Sequence, residues 1–158
     1  MAIEFTLEAT PVLSEAKALD YFADLLGCEH RHTATYAARA DLQVDTATWP
    51  TKDDPEIRAL LGDEATYLSV TFREVKNIGG EASAAVEGDM INAVVRFFED
   101  HLSTKGIFVY NGEEILLQRL GEGIVLDERL RRGDYNRHGL LDPLLVKYPV
   151  RRLEQVFL

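Results

Sequence analysis

One cysteine and two histidines are the residues of this chain best suited to chemistry. Cys28, His30 and His32 are spaced so that all three side chains point the same way on an extended segment. One thiolate with two imidazoles is a set of ligands that zinc accepts. The competing interpretation places Cys28 at the end of the first helix and both histidines on a solvated strand face. Because no second ligand pair follows, we favour that interpretation and predict no metal and no cofactor.

A nucleophilic cysteine is the second chemistry that the sequence raises. Cys28 would need a histidine as its base, and the candidates are distant in sequence, at His101 or His138. No nucleophile elbow and no oxyanion-hole signature accompanies the cysteine. We therefore predict an inert, buried thiol in a protein that is not an enzyme. A small metal or thiol enzyme built on Cys28, His30 and His32 is kept as a third hypothesis.

Acidic side chains cluster in the least regular part of the chain, within residues 53–64. Adjacent carboxylates also occur elsewhere, but they lie beside turns or on polar helix faces, where solvated groups are expected rather than general acids and bases. Binding residues tend to gather in loops, so this cluster is a candidate docking surface. Trp49 flanks it and is either an interface anchor or, as we favour, a core residue. The predicted partner-binding residues are Trp49, Asp53, Asp54, Glu56, Asp63 and Glu64.

Two further motifs are typical of nucleotide or nucleic-acid binding, and neither is complete. Residues 121–123, Gly-Glu-Gly, lack the following helix and third glycine of a dinucleotide fingerprint, and no P-loop lysine is present. An Arg-rich run contains Arg129, Arg131, Arg132 and Arg137. In so acidic a chain we interpret this run as a partner for the protein's own carboxylates, and we predict no nucleic-acid binding.

Charge is distributed unevenly along the 158 residues, whose net charge is −10. Residues 1–128 carry 24 Asp and Glu against 10 Lys and Arg, whereas residues 129–158 carry 7 basic and 3 acidic side chains. Such a body repels nucleic acid and anionic membranes and attracts basic protein surfaces. The 46% hydrophobic content is ordinary for a globular protein. We predict a single globular domain over 1–158, with an acidic body (1–128) and a basic C-terminal segment (129–158).

The opening residues and the apolar runs bear on location. The first residues lack the basic and apolar regions of a secretory signal, and no apolar run approaches the length that spans a bilayer. A sole cysteine excludes an intramolecular disulfide and suits a reducing compartment. We expect a cytoplasmic protein without a membrane partner, and a homodimer is compatible with the sequence.

Hydrophobic periodicity predicts the elements that must position these residues. Strands are predicted at 3–8, 30–36, 38–46, 66–75, 107–110, 114–120 and 123–127. A helix is predicted from Ser14 to Gly27, a short one over 56–61, and a long one within 82–102 whose firm start is Asp89, because Gly88 weakens its beginning. The order β-α-β-β-(α)-β-α-β-β-β predicts an α+β fold, with a mixed, mostly antiparallel sheet and two main helices packed on one face.

Turn residues and the tail complete this prediction. Trp49-Pro50 and residues 53–55 predict loops, residues 77–80 a break, and Asn111-Gly112 a hairpin turn. In the tail, residues 142–146 predict a short buried element. Residues 153–158 predict either a last strand or the cover of a sheet edge.

The second half of the chain resembles a known family. A helix over Met90–Phe98 leads into Ile107–Glu113, followed by Ile115–Arg119 and Gly123–Asp127. This pattern is similar to the immunity proteins of bacterial swarming-inhibition (Sit-type) toxin–immunity pairs. In that family a strand, an Asn-Gly-Glu turn, a Leu-rich strand ending in Arg and a short apolar strand recur. The opening residues 2–8, followed by a helix, are also similar.

The resemblance implies a non-enzymatic cytoplasmic protein that binds a cognate toxin domain and blocks its active site. A toxin that acts on nucleic acid needs a basic active-site surface, which an acidic inhibitor would find quickly. Residues 28–66 and the Arg-rich tail lie outside the resemblance. Our first hypothesis is therefore an immunity or inhibitor protein that binds a basic toxin or effector through an acidic surface. The second is an acidic mimic of nucleic acid, such as a phage anti-defence inhibitor of a nucleic-acid-binding enzyme.

Overall fold

Nine strands form one sheet in the structure, a computed structural model that describes residues 3–75 and 79–153. The strands are β1 (Glu4–Ala9), β2 (His30–Thr33), β3 (Tyr36–Arg39), β4 (Leu42–Pro50), β5 (Thr66–Glu74), β6 (Gly106–Tyr110), β7 (Glu114–Arg119), β8 (Val125–Asp127) and β9 (Val150–Arg151). The helices are α1 (Glu15–Leu26), α2 (Pro55–Leu61), α3 (Gly80–Asp100) and α4 (Asp142–Lys147). The strand order is β2-β3-β4-β5-β1-β6-β7-β8-β9. Only the β8–β9 pairing among these strands is parallel, which confirms the predicted α+β class with a mostly antiparallel sheet.

The alternation of side chains gives the sheet two different faces. In β1, Phe5, Leu7 and Ala9 are buried in the core that α1 and α3 complete, which confirms two main helices on one face. The opposite face carries a smaller cluster in which Ile57 and Leu61 of α2 pack on strands β5 to β8. The core therefore lies mainly between the sheet and the α1–α3 pair, and α2 covers part of the other face.

Helix α1 begins and ends where its capping residues predict. The Ser14 hydroxyl accepts a hydrogen bond from the Lys17 amide at 3.2 Å. Gly27 adopts the left-handed conformation at φ 69°, and its amide donates to the Ala23 carbonyl. The predicted boundaries of this helix are confirmed.

Helix α3 begins at Gly80, nine residues before the firm start predicted at Asp89. Gly88 is buried, and its Cα faces the side chain of Leu140. Burial of Ala84 and Val86 in the same early turns outweighs the helix propensity that Gly88 costs, so tertiary packing extends the helix.

The segment 30–50 differs from its prediction. Two predicted strands are three, because the chain turns between β2 and β3 and again between β3 and β4. Trp49 and Pro50 were predicted as a loop, but they belong to β4, where they pair with Tyr67 and Thr66 of β5. The nine-residue register with β5 keeps these residues extended and overrides the local turn signal of a Trp-Pro pair.

The C-terminal part contains the predicted hairpin and an additional helix and strand. Asn111 and Gly112 both have positive φ, at 49° and 72°, which confirms the predicted turn. The predicted element at 142–146 is α4, whose Leu144 and Leu145 are only partly buried. Residues 77 and 78 of the predicted break, and residues 154–158 of the predicted last strand or edge cover, lie outside the described residues. Within the described ranges, no helix has the length and apolar character needed to cross a membrane.

Candidate functional site

The predicted acidic cluster lies on a chain excursion whose two ends are tied together. Residues 51–65 leave the end of β4 and return at the start of β5. The amide of Thr51 donates to the carbonyl of Ala65 at 3.0 Å, and its buried hydroxyl donates to the carbonyl of Glu64 at 2.5 Å. The acidic residues at the start and at the end of the excursion therefore emerge at the same end of the sheet.

Helix α2 forms the middle of this excursion, and its apolar side anchors it to the sheet. Ile57 and Leu61 are buried against the strands, whereas Glu56 points to solvent. Asp54 is partly buried and accepts a hydrogen bond from the Ile57 amide at 3.2 Å, so it caps α2. Asp54 has a structural role, and the carboxylates fully available to a partner are Asp53, Glu56, Asp63 and Glu64. We refer to these four residues as the acidic surface.

The acidic surface lacks the ion pairs that neutralise many of the carboxylates elsewhere in the described chain. Outside it, for example, Arg31 pairs with Asp20 and Asp24, and Lys147 pairs with Glu99. None of the ion pairs formed among the described residues includes a residue of the acidic surface. The same stretch contains two cations, Lys52 and Arg58, against five carboxylates. A net negative field is therefore left at this end of the sheet.

Trp49 adjoins the acidic surface and is exposed. Its side chain keeps 52% of its accessible area, although its strand partner Tyr67 is buried. The expectation that Trp49 is a core residue is therefore wrong. The cause lies in the alternation of β4, which directs Val44 and Thr46 into the main core. Trp49 is three residues after Thr46 and points to the opposite face, where α2 covers only part of the sheet.

A partly buried carboxyl group that the sequence does not single out, that of Glu8, lies near the capping residue, and its Oε2 is buried. Glu8 alternates with the core residues of β1 and so points to the α2 face. Burial, with a smaller contribution from Asp54, raises the pKa of Glu8 to about 7. The same two carboxyl groups, after burial itself, raise the pKa of Tyr67 to about 12. The alternation of apolar residues in β1 could have predicted this position, because it places Glu8 within the strand on the face opposite the main helices.

The cysteine and the two histidines are not brought together. Cys28 is 1% exposed, and its amide closes the end of α1 by donating to the Ala23 carbonyl. His30 and His32 lie on β2 with exposed side chains. Across the described residues, no group of three or more His, Cys, Asp or Glu is arranged to hold a metal ion.

The thiol is also poorly suited to nucleophilic attack. Burial raises the pKa of Cys28, which disfavours the reactive thiolate. The two proposed bases make other contacts. Nδ1 of His101 lies 2.9 Å from the Phe97 carbonyl, and exposed His138 pairs with Glu81.

The Arg-rich run divides into paired and exposed residues. Arg129 lies 3.9 Å from Glu114 and 3.6 Å from Asp127, as its interpretation as an internal partner predicts. Arg131 and Arg132 are exposed and take part in no ion pair among the described residues. The internal-partner interpretation therefore holds for the first arginine of the run and not for the next two.

Together these features define an α+β protein that presents an acidic surface beside an exposed tryptophan, with its cysteine and histidines kept apart. Residues 3–134 match the model of the SitI3-like family, and the chain belongs to that family. The match includes residues 28–66, which lie outside the resemblance found from the motifs. No curated protein and no solved structure matches the chain.

Proposed function

We propose that this protein is an immunity protein that binds a cognate toxin or effector and neutralises it through the acidic surface and Trp49. The family name supports a Sit-type immunity role. The observation that carries the proposal is the uncompensated charge of the acidic surface, in a chain whose carboxylates elsewhere are often paired.

The physics of this surface suits a basic protein partner. Complementary charge accelerates encounter, and an exposed aromatic side chain supplies apolar contact once the proteins meet. Neutralisation by coverage of a toxin's active site needs no catalytic group in the inhibitor. The protein would act without a cofactor, in the compartment where the toxin acts, which we expect to be the cytoplasm.

The proposal is tested by capture and by protection together. Tagged protein is co-expressed with the proteins encoded beside it, purified, and its bound partners are identified by mass spectrometry. We expect one basic neighbouring protein that is toxic when expressed alone and harmless when co-expressed. Recovery of a nucleic-acid enzyme of the host would instead favour the nucleic-acid mimic, and protection without a complex would contradict direct neutralisation.

The role of the acidic surface is tested by charge reversal at Asp53, Asp63 and Glu64. Asp54 is left intact because it caps α2. The matched control reverses three exposed carboxylates elsewhere, at positions 29, 113 and 128, which changes the net charge equally: Glu29→Lys, Glu113→Lys and Glu128→Lys. We expect the first variant to associate with the captured toxin on the order of tenfold more slowly than the control, with an unchanged urea midpoint. Equal association rates would place the contact elsewhere on the protein.

A further inference from the structure

A serine hydroxyl at the start of α3 faces two carboxyl groups at once. The Ser83 Oγ lies 2.7 Å from Oε2 of Glu74, at the end of β5, and 2.9 Å from Oε2 of Glu87, one turn further along α3. Glu74 is 7% exposed, and its other oxygen, Oε1, is buried without a hydrogen-bond partner. These residues join the last residue of β5 to the first two turns of α3.

Counting protons shows that these contacts need one more hydrogen than the serine supplies. A hydroxyl carries one proton and donates it to one acceptor, while its oxygen accepts from others. Two ionised carboxylates offer only acceptors, so one of the two short contacts would bring unprotonated oxygens together. A proton on one carboxyl group resolves this, because that group then donates to the serine oxygen or to the other carboxylate.

The surroundings also favour a proton at this position. The neighbouring groups that interact with the pair are Asp134, an acid, and the phenols of Tyr110 and Tyr135. One cation, Arg137, lies against Gly80 at the start of the helix and forms no ion pair with Glu74 or Glu87 in the described chain. No ion pair among the described residues involves Glu74 or Glu87. Burial and the neighbouring Glu74 raise the pKa of Glu87 to about 7.

We propose that Glu87 keeps a proton at neutral pH in its contact with Ser83 and Glu74, and that this carboxyl pair is a pH-dependent latch between β5 and the start of α3. Loss of the proton leaves two like charges in a partly buried site beside the same hydroxyl. The first turns of α3 then separate from the strand more readily. The latch lies at the end of β5, whereas the acidic surface precedes its start, and the latch does not depend on the proposed function.

The sign of the effect follows from the direction of the shift. Glu87 binds its proton more tightly in the folded protein than in the unfolded chain, in which its pKa is 4.5. The stabilisation is therefore fully present below about pH 4.5 and is lost as the pH rises through about 7. At higher pH this group causes no further change in the free energy of unfolding.

A carboxyl titration by carbon-13 NMR of the wild-type protein is the direct test. We expect the Glu87 carboxyl group to show a titration step near pH 7, assigned by its loss in Glu87→Gln. If the Glu87 carboxyl group titrates near its ordinary value, the proposal is overturned. The step itself is observed in the wild-type protein, and only its assignment uses a variant.

Urea unfolding of Glu87→Gln at about pH 5.5 and about pH 8.5 is the second test. The glutamine amide supplies a hydrogen at every pH, so the variant should lose the pH-dependent stabilisation of the pair. Relative to wild type, the unfolding equilibrium constant at the higher pH should fall by up to about a hundredfold. The control Glu113→Gln, at an exposed turn residue, should match wild type. Identical pH dependence in Glu87→Gln, Glu113→Gln and wild type would refute the latch.

Discussion

Trp49 gives the acidic surface its own optical reporter, since it is the sole tryptophan of the chain. It is 52% exposed and adjoins carboxylates that have no ion-pair partner among the described residues. The efficiency with which ions quench its fluorescence therefore depends on the local electrostatic potential. Glu8, on the same face of the sheet, adds a carboxyl group whose protonation depends on burial.

Ionic quenchers should distinguish the charge around Trp49. Cesium is attracted to a negative surface and iodide is repelled, so cesium should quench the fluorescence more efficiently at equal ionic strength. Stern–Volmer constants for the two ions measure this. In the variant with reversed charges at Asp53, Asp63 and Glu64, the preference should shift toward iodide. More efficient quenching by iodide in the wild type would show that the field at Trp49 is not negative.

Glu8→Gln should stabilise the protein above neutral pH and have little effect in acid. The folded-state pKa of Glu8 is raised from 4.5 to about 7, so ionisation costs stability as the pH rises between these values. We expect a gain of about 2 kcal/mol at pH 8 from urea unfolding, and almost none at pH 4.5. Glu29→Gln, at an exposed position, is the control. A loss of stability at pH 8 would mean that the ionised carboxylate is favourable in the fold.

At the scale of elements, Arg119 closes the C-terminal end of α3. Its guanidinium donates to the carbonyls of Phe98, His101 and Thr104 at 2.7, 2.5 and 2.7 Å, and lies over the Phe98 ring. Carbonyls at a helix end lack intrahelical donors, and a cation there also complements the helix dipole. The Arg that ends the Leu-rich strand in the recognised motif thus has a structural role.

Arg119→Lys should therefore be costly despite keeping the charge. An ammonium group on a flexible stem cannot reproduce a planar fork that reaches three carbonyls. We expect a loss of about 2 kcal/mol in the free energy of unfolding, measured with urea. Arg58→Lys, on the exposed side of α2, should change it by less than about 0.5 kcal/mol. Similar effects of both substitutions would argue against the capping role.

At the scale of the whole molecule, the residues that stabilise the fold and the residues that carry the net charge lie in different places. The core between the sheet and the α1–α3 pair is apolar. The charged side chains that give the net charge of −10 lie outside it, and some of them form ion pairs whereas others do not. Arg73, for example, forms ion pairs with Glu4 and Asp45 on the face of the sheet opposite α1 and α3, so the charge of that region is partly neutralised. The exposed Glu29, Glu113 and Glu128 are also without ion pairs among the described residues, but the acidic surface is a cluster beside Trp49, and under the proposed function it is the region that contacts a partner.

Association with the captured toxin should accordingly depend on salt. We expect the association rate to fall steeply between low and physiological ionic strength, because screening weakens long-range steering. Stopped-flow recording of Trp49 fluorescence measures this rate. The dissociation rate should change less, since short-range contacts control it. A flat response of the association rate would exclude electrostatic docking.

Local signals in the sequence predicted several elements correctly. Ser14 and Gly27 bound α1, the short helix predicted over 56–61 lies within α2, and Asn111-Gly112 forms a tight turn. Each depends on one or two residues whose backbone preferences or capping groups act at short range. The α+β class followed from the order of such elements.

Other features depended on partners distant in sequence. The early start of α3 reflects burial against residues near position 140, and the extension of β4 through Trp49-Pro50 reflects its register with β5. Neither partner is visible from local propensity. The Glu74–Ser83–Glu87 contact likewise requires a strand end and a helix start to meet.

The sequence alone determined the acidity of the body, the placement of most helices and strands, and a family resemblance, because these depend on composition and short-range patterns. Only the tertiary structure decided which charges are paired, which aromatic side chain is exposed, and that Cys28 is separated from its two histidines. The physical reason is that ion pairing and burial are set by residues that fold together from distant positions. The spacing of residues along the chain does not show which distant residues will come into contact in the fold.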